Sequence, residues 1–253
     1  ENAKLMVRFL GELEAENLEM LPIAKSTERM GWLGARKFLP VLAEDVVLDV
    51  EGGSKAIAEA YHSAGELQIW KEGMEYVREQ PLARFMLAAS FAAPLLQLIG
   101  HRVFVIHAWG PSRGGKTAAL KAALSIWGEP EDLIANFNTT KVGLERLAAF
   151  YSDLPLGIDE RQVINDKQGF IESLVYLLGL GKGKARGAKQ GGLQMFRTWR
   201  TIALTTGEEP LSGEATHTGV RTRTLELFGQ PLPDENEARK IHQLVDANYG
   251  FAG

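Results

Sequence analysis

The rhythm of apolar and polar positions changes near residue 80. Before it the pattern is mixed. Residues 3–20 carry Leu5, Met6, Phe9, Leu10 and Leu13 at helical spacing, which predicts an amphipathic helix. Gly31-Trp32-Leu33-Gly34 and Asp45 to Val50 read as short strands, and Gly52-Gly53 breaks the chain before an Ala-rich helix ending near Tyr61. Leu67-Gln68-Ile69-Trp70 reads as one more strand, with a helix after it to Glu79. Pro81 suits the first turn of an apolar helix reaching Ile99. The run from Phe85 to Ile99 is interrupted by Ser90, Pro94 and Gln97 and is short for a membrane span, so it predicts a buried helix kinked at Pro94.

After residue 100 strands and helices alternate. Apolar runs at Val103–Ile106, Leu133–Phe137, Leu154–Ile158, Thr201–Thr205 and Thr224–Phe228 predict five strands. Between and after them, helical patterns cover Thr117–Trp127, a stretch capped by Thr140, Asp166–Leu178, and Asp234 to about Asn248. Leu120, Leu124 and Trp127 share one face of the first of these helices. Such alternation predicts an α/β fold with a central parallel sheet covered on both faces. The expected division is a small α+β region over residues 1–80 and the α/β core over 81–253.

The chemistry concentrates after the first core strand. Gly110 to Thr117 reads G-x-x-x-x-G-K-T, between an apolar strand and a helix, the context that a phosphate-cradling loop requires. Gly110, Pro111, Ser112, Arg113, Gly114 and Gly115 would form the turn, and the helix would open through Lys116, Thr117 and Ala118. Backbone N–H groups of such a turn and the positive end of its helix attract a triphosphate. Lys116 supplies a point charge to the β- and γ-phosphates, and the Thr117 hydroxyl is placed for Mg²⁺. ATP and Mg²⁺ are the expected cofactors.

Asp159-Glu160 ends the third core strand, and strand C-termini of a parallel sheet face the ligand crevice. Asp159 is expected to hold Mg²⁺ through a water, and Glu160 to polarise the attacking water; the bland alternative is an acid pair capping a turn. Thr205 and Thr206 end the fourth strand, where a hydroxyl can touch the γ-phosphate or merely satisfy a strand end. Arg221 and Arg223 precede the fifth strand, and either could act as an arginine finger in a neighbouring subunit's site or remain a surface charge.

From Ser173 to Gly207 no acidic residue occurs, while Lys182, Lys184, Arg186 and Lys189 lie in a Gly-rich tract. That composition suits sequence-independent contact with a nucleic-acid backbone, against a solvated loop as the plain alternative. Phe196 and Trp199 could stack on bases, although core packing is preferred for both. The formal net charge is −4, so any nucleic-acid contact must be local. The chain has no cysteine, which removes disulfides, thiolate metal sites and Cys nucleophiles and fits a reducing cytoplasm. His62, His101, His107, His217 and His242 lack metal-ligand spacing and read as structural or surface residues, and Trp32 and Trp70 as core. A chain starting at Glu1 and stopping at Gly253 is expected to be a piece of a longer protein.

The run Gly110-Pro111-Ser112 through Gly115-Lys116-Thr117, the tract Gly181-Lys182-Gly183-Lys184-Ala185-Arg186, Leu204-Thr205-Thr206-Gly207-Glu208 and the closing Asn248-Tyr249-Gly250-Phe251-Ala252-Gly253 resemble the bacterial family catalogued as domain of unknown function 927. The family occurs in phages, plasmids and integrative elements. It includes the Cch-type helicases of staphylococcal cassettes, which are similar to AAA+ helicases of the minichromosome-maintenance type. The resemblance implies a P-loop AAA+ core and a homo-oligomer, a hexameric ring, with ATP at subunit borders and DNA in the pore. It also implies that the Lys/Arg-rich tract is the pore hairpin and that Arg223 is the arginine ahead of the fifth strand. Pro155 and Gly157 depart from the unbroken apolar run that the family often has before its acid pair.

Three functions follow as expectations. The first is an ATP-driven DNA helicase or translocase of a mobile element. The second is an initiator or loader that uses ATP as an assembly switch, and the third a small-molecule phosphotransferase. No membrane association is expected.

Overall fold

The computed structural model describes residues 2–21, 23–34, 36–40, 45–50, 52–136, 140–159, 167–184, 196–211 and 218–252. The chain opens with α1 (Asn2–Glu16), followed by β1 (Lys25–Thr27), β2 (Gly31–Leu33), β3 (Lys37–Leu39) and β4 (Val46–Leu48). Then come α2 (Gly53–Glu59), α3 (Leu67–Glu79), α4 (Pro81–Ala92) and α5 (Leu95–Ile99). The remainder alternates: β5 (Phe104–Trp109), α6 (Lys116–Leu124), α7 (Pro130–Leu133), β6 (Ile134–Asn136), α8 (Lys141–Tyr151), β7 (Leu156–Asp159) and α9 (Lys167–Gly179). It ends with β8 (Ile202–Gly207), α10 (Thr218–Arg221), β9 (Thr224–Phe228) and α11 (Glu235–Ala247).

Five strands form one parallel sheet in the order β6-β7-β8-β5-β9. The order follows from connection chirality. The chain leaves β5 across β8 and β7 to reach β6, then returns strand by strand and steps over β5 to β9. Right-handed crossovers therefore put α6 on one face and α8, α9 and α10 on the other. The packing agrees: α6 touches α3, α4, α7 and α11, while α9 touches α8 and α10. Between β5 and β8 the connections depart to opposite faces, so a crevice opens at the C-terminal ends of those two strands.

Helix α6 differs from its predicted one-sided pattern. Every residue from Ala118 to Leu124 is buried, because alanines let α4 and α11 approach on the sides away from the sheet. Leu67–Trp70 is the first turn of α3 and not a strand. Trp70, Met74 and Val77 form its buried stripe, and a four-residue apolar run carries too little period to separate the two. The break at Pro94 is real: α4 stops at Ala92 and α5 resumes at Leu95, but the expected burial fails in α5, where Leu96 is buried and Leu95, Leu98 and Ile99 are exposed. Strands β1 and β3 were not expected; they pair with β4 and β2.

Met30, Phe38, Trp70 and Val77 lie in the same apolar core as Met86, Leu120 and Trp127. Three tryptophans tie this part down through their indole N–H groups. Trp32 donates to Pro94 O, Trp70 to Ser125 Oγ and Trp127 to Ser90 Oγ, at 2.8–2.9 Å. α1 is helical as predicted, yet none of its residues is buried. Among the described residues no helix is long and apolar enough to cross a membrane.

Candidate nucleotide site

The loop between β5 and α6 owes its path to two glycines. Gly110 has φ 147°, and a Cβ there would stand 2.7 Å from Gly229 O. Gly115 has φ 70°, and its Cβ would stand 2.5 Å from Leu232 Cβ. Both positions require glycine on conformational and steric grounds. The wall they press against is the β9–α11 connection. Gly229 N donates to Trp109 O at 2.9 Å and Leu232 N to Gly114 O at 3.1 Å, so this segment holds the loop from outside. Arg113 also takes a left-handed φ, of 62°.

Lys116 lies folded over the loop mouth, its Nζ donating to Gly110 O at 2.9 Å and to Pro111 O at 2.7 Å. Ser112 Oγ donates to Glu208 Oε1, which closes the loop against the end of β8. Lys116 and Thr117 open α6, whose first-turn N–H groups have no partner within the helix.

Strand register explains the centre of the site. Asp159, Thr206 and Ala108 are neighbours across β7, β8 and β5. The buried Asp159 carboxylate accepts from Thr206 Oγ1 at 2.5 Å and from Thr117 Oγ1 at 3.0 Å. Lys116, Thr117, Asp159 and Thr206 therefore converge in the crevice. Thr205 does not join them, because successive strand residues face opposite sides. Its hydroxyl donates to His107 Nδ1 at 2.8 Å, since His107 Nε2 must give its proton to Glu209 O at 2.9 Å. Of the two readings of Thr205, the contact with phosphate does not fit: its hydroxyl stands within reach of His107 Nδ1 and Ile106 O inside the protein, away from the crevice.

The opening above these residues has a volume of about 760 Å³, within the range of small-molecule sites. Gly114, Lys116, Thr117, Ala118 and Asp159 line one side. Glu235, Ala238, Arg239, His242 and Gln243 of α11 line the other. That second wall was not foreseen. Its signal was the spacing i, i+3, i+4, i+7, i+8 along the last helix, which no motif marks.

Thr117 and Asp159 offer hard oxygen donors of the kind that Mg²⁺ takes alongside phosphate oxygens. Among the described residues no group of three His, Asp or Glu side chains stands ready to hold a metal alone. Such an ion would share its coordination with the ligand. Glu160 lies outside the described residues.

Other expected residues stand elsewhere. Arg221 and Arg223 both precede β9, and Arg223 O accepts from Val105 N at the opposite end of β5 from the P-loop. Four residue rises, from Val105 to Trp109, separate the two ends, roughly 13 Å. Arg223 donates to Gly219 O at 2.7 Å and its guanidinium lies 5.5 Å from the centre of the Tyr176 ring. Neither arginine reaches this chain's own crevice.

Lys182 and Lys184 are exposed on one side of a short antiparallel ladder. Lys182 pairs with Thr198, Gly183 N donates to Arg197 O, and Trp199 N donates to Gly181 O. The tract thus leaves and re-enters the core as a hairpin stem. Arg186 and Lys189 lie outside the described residues. Trp199 is buried and donates to Leu178 O, as core packing requires, whereas Phe196 is half exposed. This corrects the preference for core packing at Phe196.

One solved structure shares this architecture. A solved structure of the "SCCmec type IV Cch - active helicase" superposes with a TM-score of 0.71 at 20% identity, covering 96% of this chain and 48% of that one. This chain therefore spans about half the length of that helicase. A JCV helicase with a bound small molecule aligns at TM-score 0.43 and 13% identity, over 79% of this chain and 60% of that one. No curated protein matches. The fold is a P-loop α/β core. The family model for the domain of unknown function DUF927 matches residues 1–198, and the chain belongs to that family.

Proposed function

We propose that this chain is the ATP-hydrolysing core of a DNA helicase or translocase of a mobile genetic element, working as a homo-oligomeric ring. The observation that carries the reading is the convergence of Lys116, Thr117, Asp159 and Thr206 at the end of one parallel sheet. A fold shared with the Cch helicase supports it.

In this reading a triphosphate displaces Lys116 Nζ from the Gly110 and Pro111 carbonyls, and the ammonium moves to the β- and γ-phosphates. The α6 amides receive the β-phosphate. Thr117 and Asp159 would hold Mg²⁺, which supplies neutralisation of the developing phosphate charge. Glu160, one residue beyond Asp159, takes the role of aligning and polarising the attacking water. Thr206, on the Asp159 carboxylate, reports the state of that end of the site to β8. Arg223 or Arg221 acts on a neighbour's nucleotide, since both stand at the far end of the sheet from their own. Lys182, Lys184, Arg186 and Lys189 grip DNA phosphates from the hairpin.

ATP hydrolysis by the full-length protein, measured with and without single-stranded DNA, tests the proposal. Hydrolysis stimulated by DNA and abolished by Lys116→Ala is expected, with strand displacement on a forked substrate. Hydrolysis without displacement would assign an initiator or loader instead. Absence of hydrolysis would remove the motor reading.

A further inference from the structure

The unassigned wall of the cleft is α11. Its residues Glu235, Ala238, Arg239, His242 and Gln243 form one stripe across from the phosphate loop. This wall is fixed relative to the loop. Lys121, one turn beyond Thr117 in α6, is 2% exposed and holds Asp246 of α11 at 2.9 Å and Glu131 at 2.5 Å. Ile241 and Val245 bury the adjacent stripe, and Asp234 caps the helix through Asn236 N and Glu237 N. A ligand spanning the cleft therefore meets two rigid surfaces.

The ends of that ligand are assigned by chemistry. Its terminal phosphate belongs beside Thr117 and Asp159, where an Mg²⁺ would sit. The rest of the molecule runs outward past Ala118, and α11 is the surface it meets. Ala238 is small enough for a flat ring to approach. His242 Nδ1 lies 3.0 Å from Asp246 Oδ2, a carboxylate that only accepts, so Nδ1 carries the proton. In the neutral ring Nε2 is then left as an acceptor. Gln243 is exposed beside it and offers an amide with both donor and acceptor. An acceptor beside a carboxamide matches adenine, whose amino group donates next to a ring-nitrogen acceptor. Guanine presents a carbonyl oxygen where adenine has its amino group, and would set it against the Nε2 lone pair.

We propose that the α11 stripe of Ala238, His242 and Gln243 is the nucleobase-binding half of the site and selects adenine over guanine. The proposal rests on the nucleotide reading given above. Titration calorimetry of the full chain with Mg²⁺ and ATP, GTP or inorganic tripolyphosphate separates the two. The wild type is expected to bind ATP about tenfold more tightly than GTP. Gln243→Leu should weaken ATP roughly three- to tenfold, the loss of one or two neutral hydrogen bonds, while tripolyphosphate binds as before. His242→Ala should narrow the ATP-to-GTP ratio, again with tripolyphosphate unchanged. Tripolyphosphate binding also shows that each variant keeps a folded phosphate loop. Equal ATP and GTP affinity in the wild type, unchanged ATP affinity in Gln243→Leu, or a parallel loss of tripolyphosphate would overturn the proposal. Failure of the wild type to bind all three would overturn the nucleotide reading itself.

Discussion

Replacing Gly115 by alanine tests whether the phosphate loop is as tightly built as it looks. The residue has φ 70°, a region that costs an L side chain about 1–2 kcal/mol. The added methyl would also stand 2.5 Å from Leu232 Cβ and 2.6 Å from Leu232 O. Leu232 is fully buried and bonded to Gly114 O, so the clash is relieved only by moving the loop or the β9–α11 connection. Overpacking of that kind adds about 1–3 kcal/mol. The sum, roughly 2–5 kcal/mol, corresponds in a chain of this size to a fall in Tm of about 4–10 °C. Gly11→Ala is the internal control. It lies inside α1 with nothing within 4 Å of its new methyl, and should be neutral or stabilising by up to about 1 kcal/mol. Differential scanning calorimetry of both variants, with tripolyphosphate titration of each, decides the matter. A Gly115→Ala protein that melts and binds like wild type would refute the steric argument and the loop geometry beneath it.

Glu160→Gln should bind ATP with near wild-type affinity and hydrolyse it about 10²–10⁴-fold more slowly, as read by single-turnover kinetics. Removing Lys182, Lys184 and Arg186 together should lower DNA affinity and reduce the slope of log K against log salt by about 2 to 3, at roughly 0.7–0.9 for each phosphate that is no longer neutralised. Wild-type DNA binding in that variant would refute the hairpin assignment. Burial raises the Asp153 carboxyl above its ordinary value, against the lowering effect of the Trp32 N–H and Arg29. With the folded value above the unfolded one, its contribution favours folding most below pH 3.8 and is lost as pH rises through the folded value. Asp153→Asn should therefore compare better with wild type at pH 7 than at pH 4 in thermal melts.

The Gly-rich loop between β5 and α6 was legible because the G-x-x-x-x-G-K-T pattern fixes residue types at set spacing, and the strand and helix around it stood out by composition. The strand ends carrying Asp159 and Thr206 were also legible. Which of two adjacent threonines faces the crevice was not, since it depends on the register of β7, β8 and β5. The sheet order was hidden for a related reason: β9 joins β5 across a long connection that leaves no local trace. The apolar run at residues 67–70 is shorter than one heptad and fits a strand as well as a helix, and only Met74 and Val77 reveal the helix. The α11 wall has no motif at all. Its polar stripe becomes meaningful only once Lys121 and Asp246 fix that helix against α6.

The central claim is that one triphosphate bridges Lys116 and the Thr117–Asp159 pair. A crystal structure of the chain with Mg²⁺ and a non-hydrolysable ATP analogue tests it most directly. The account predicts the metal about 2.1 Å from Thr117 Oγ1, Asp159 bound to it directly or through one water, and Lys116 Nζ moved from the Gly110 and Pro111 carbonyls to the phosphates. An analogue bound elsewhere, or a Lys116 still folded on those carbonyls with the analogue in place, would contradict it.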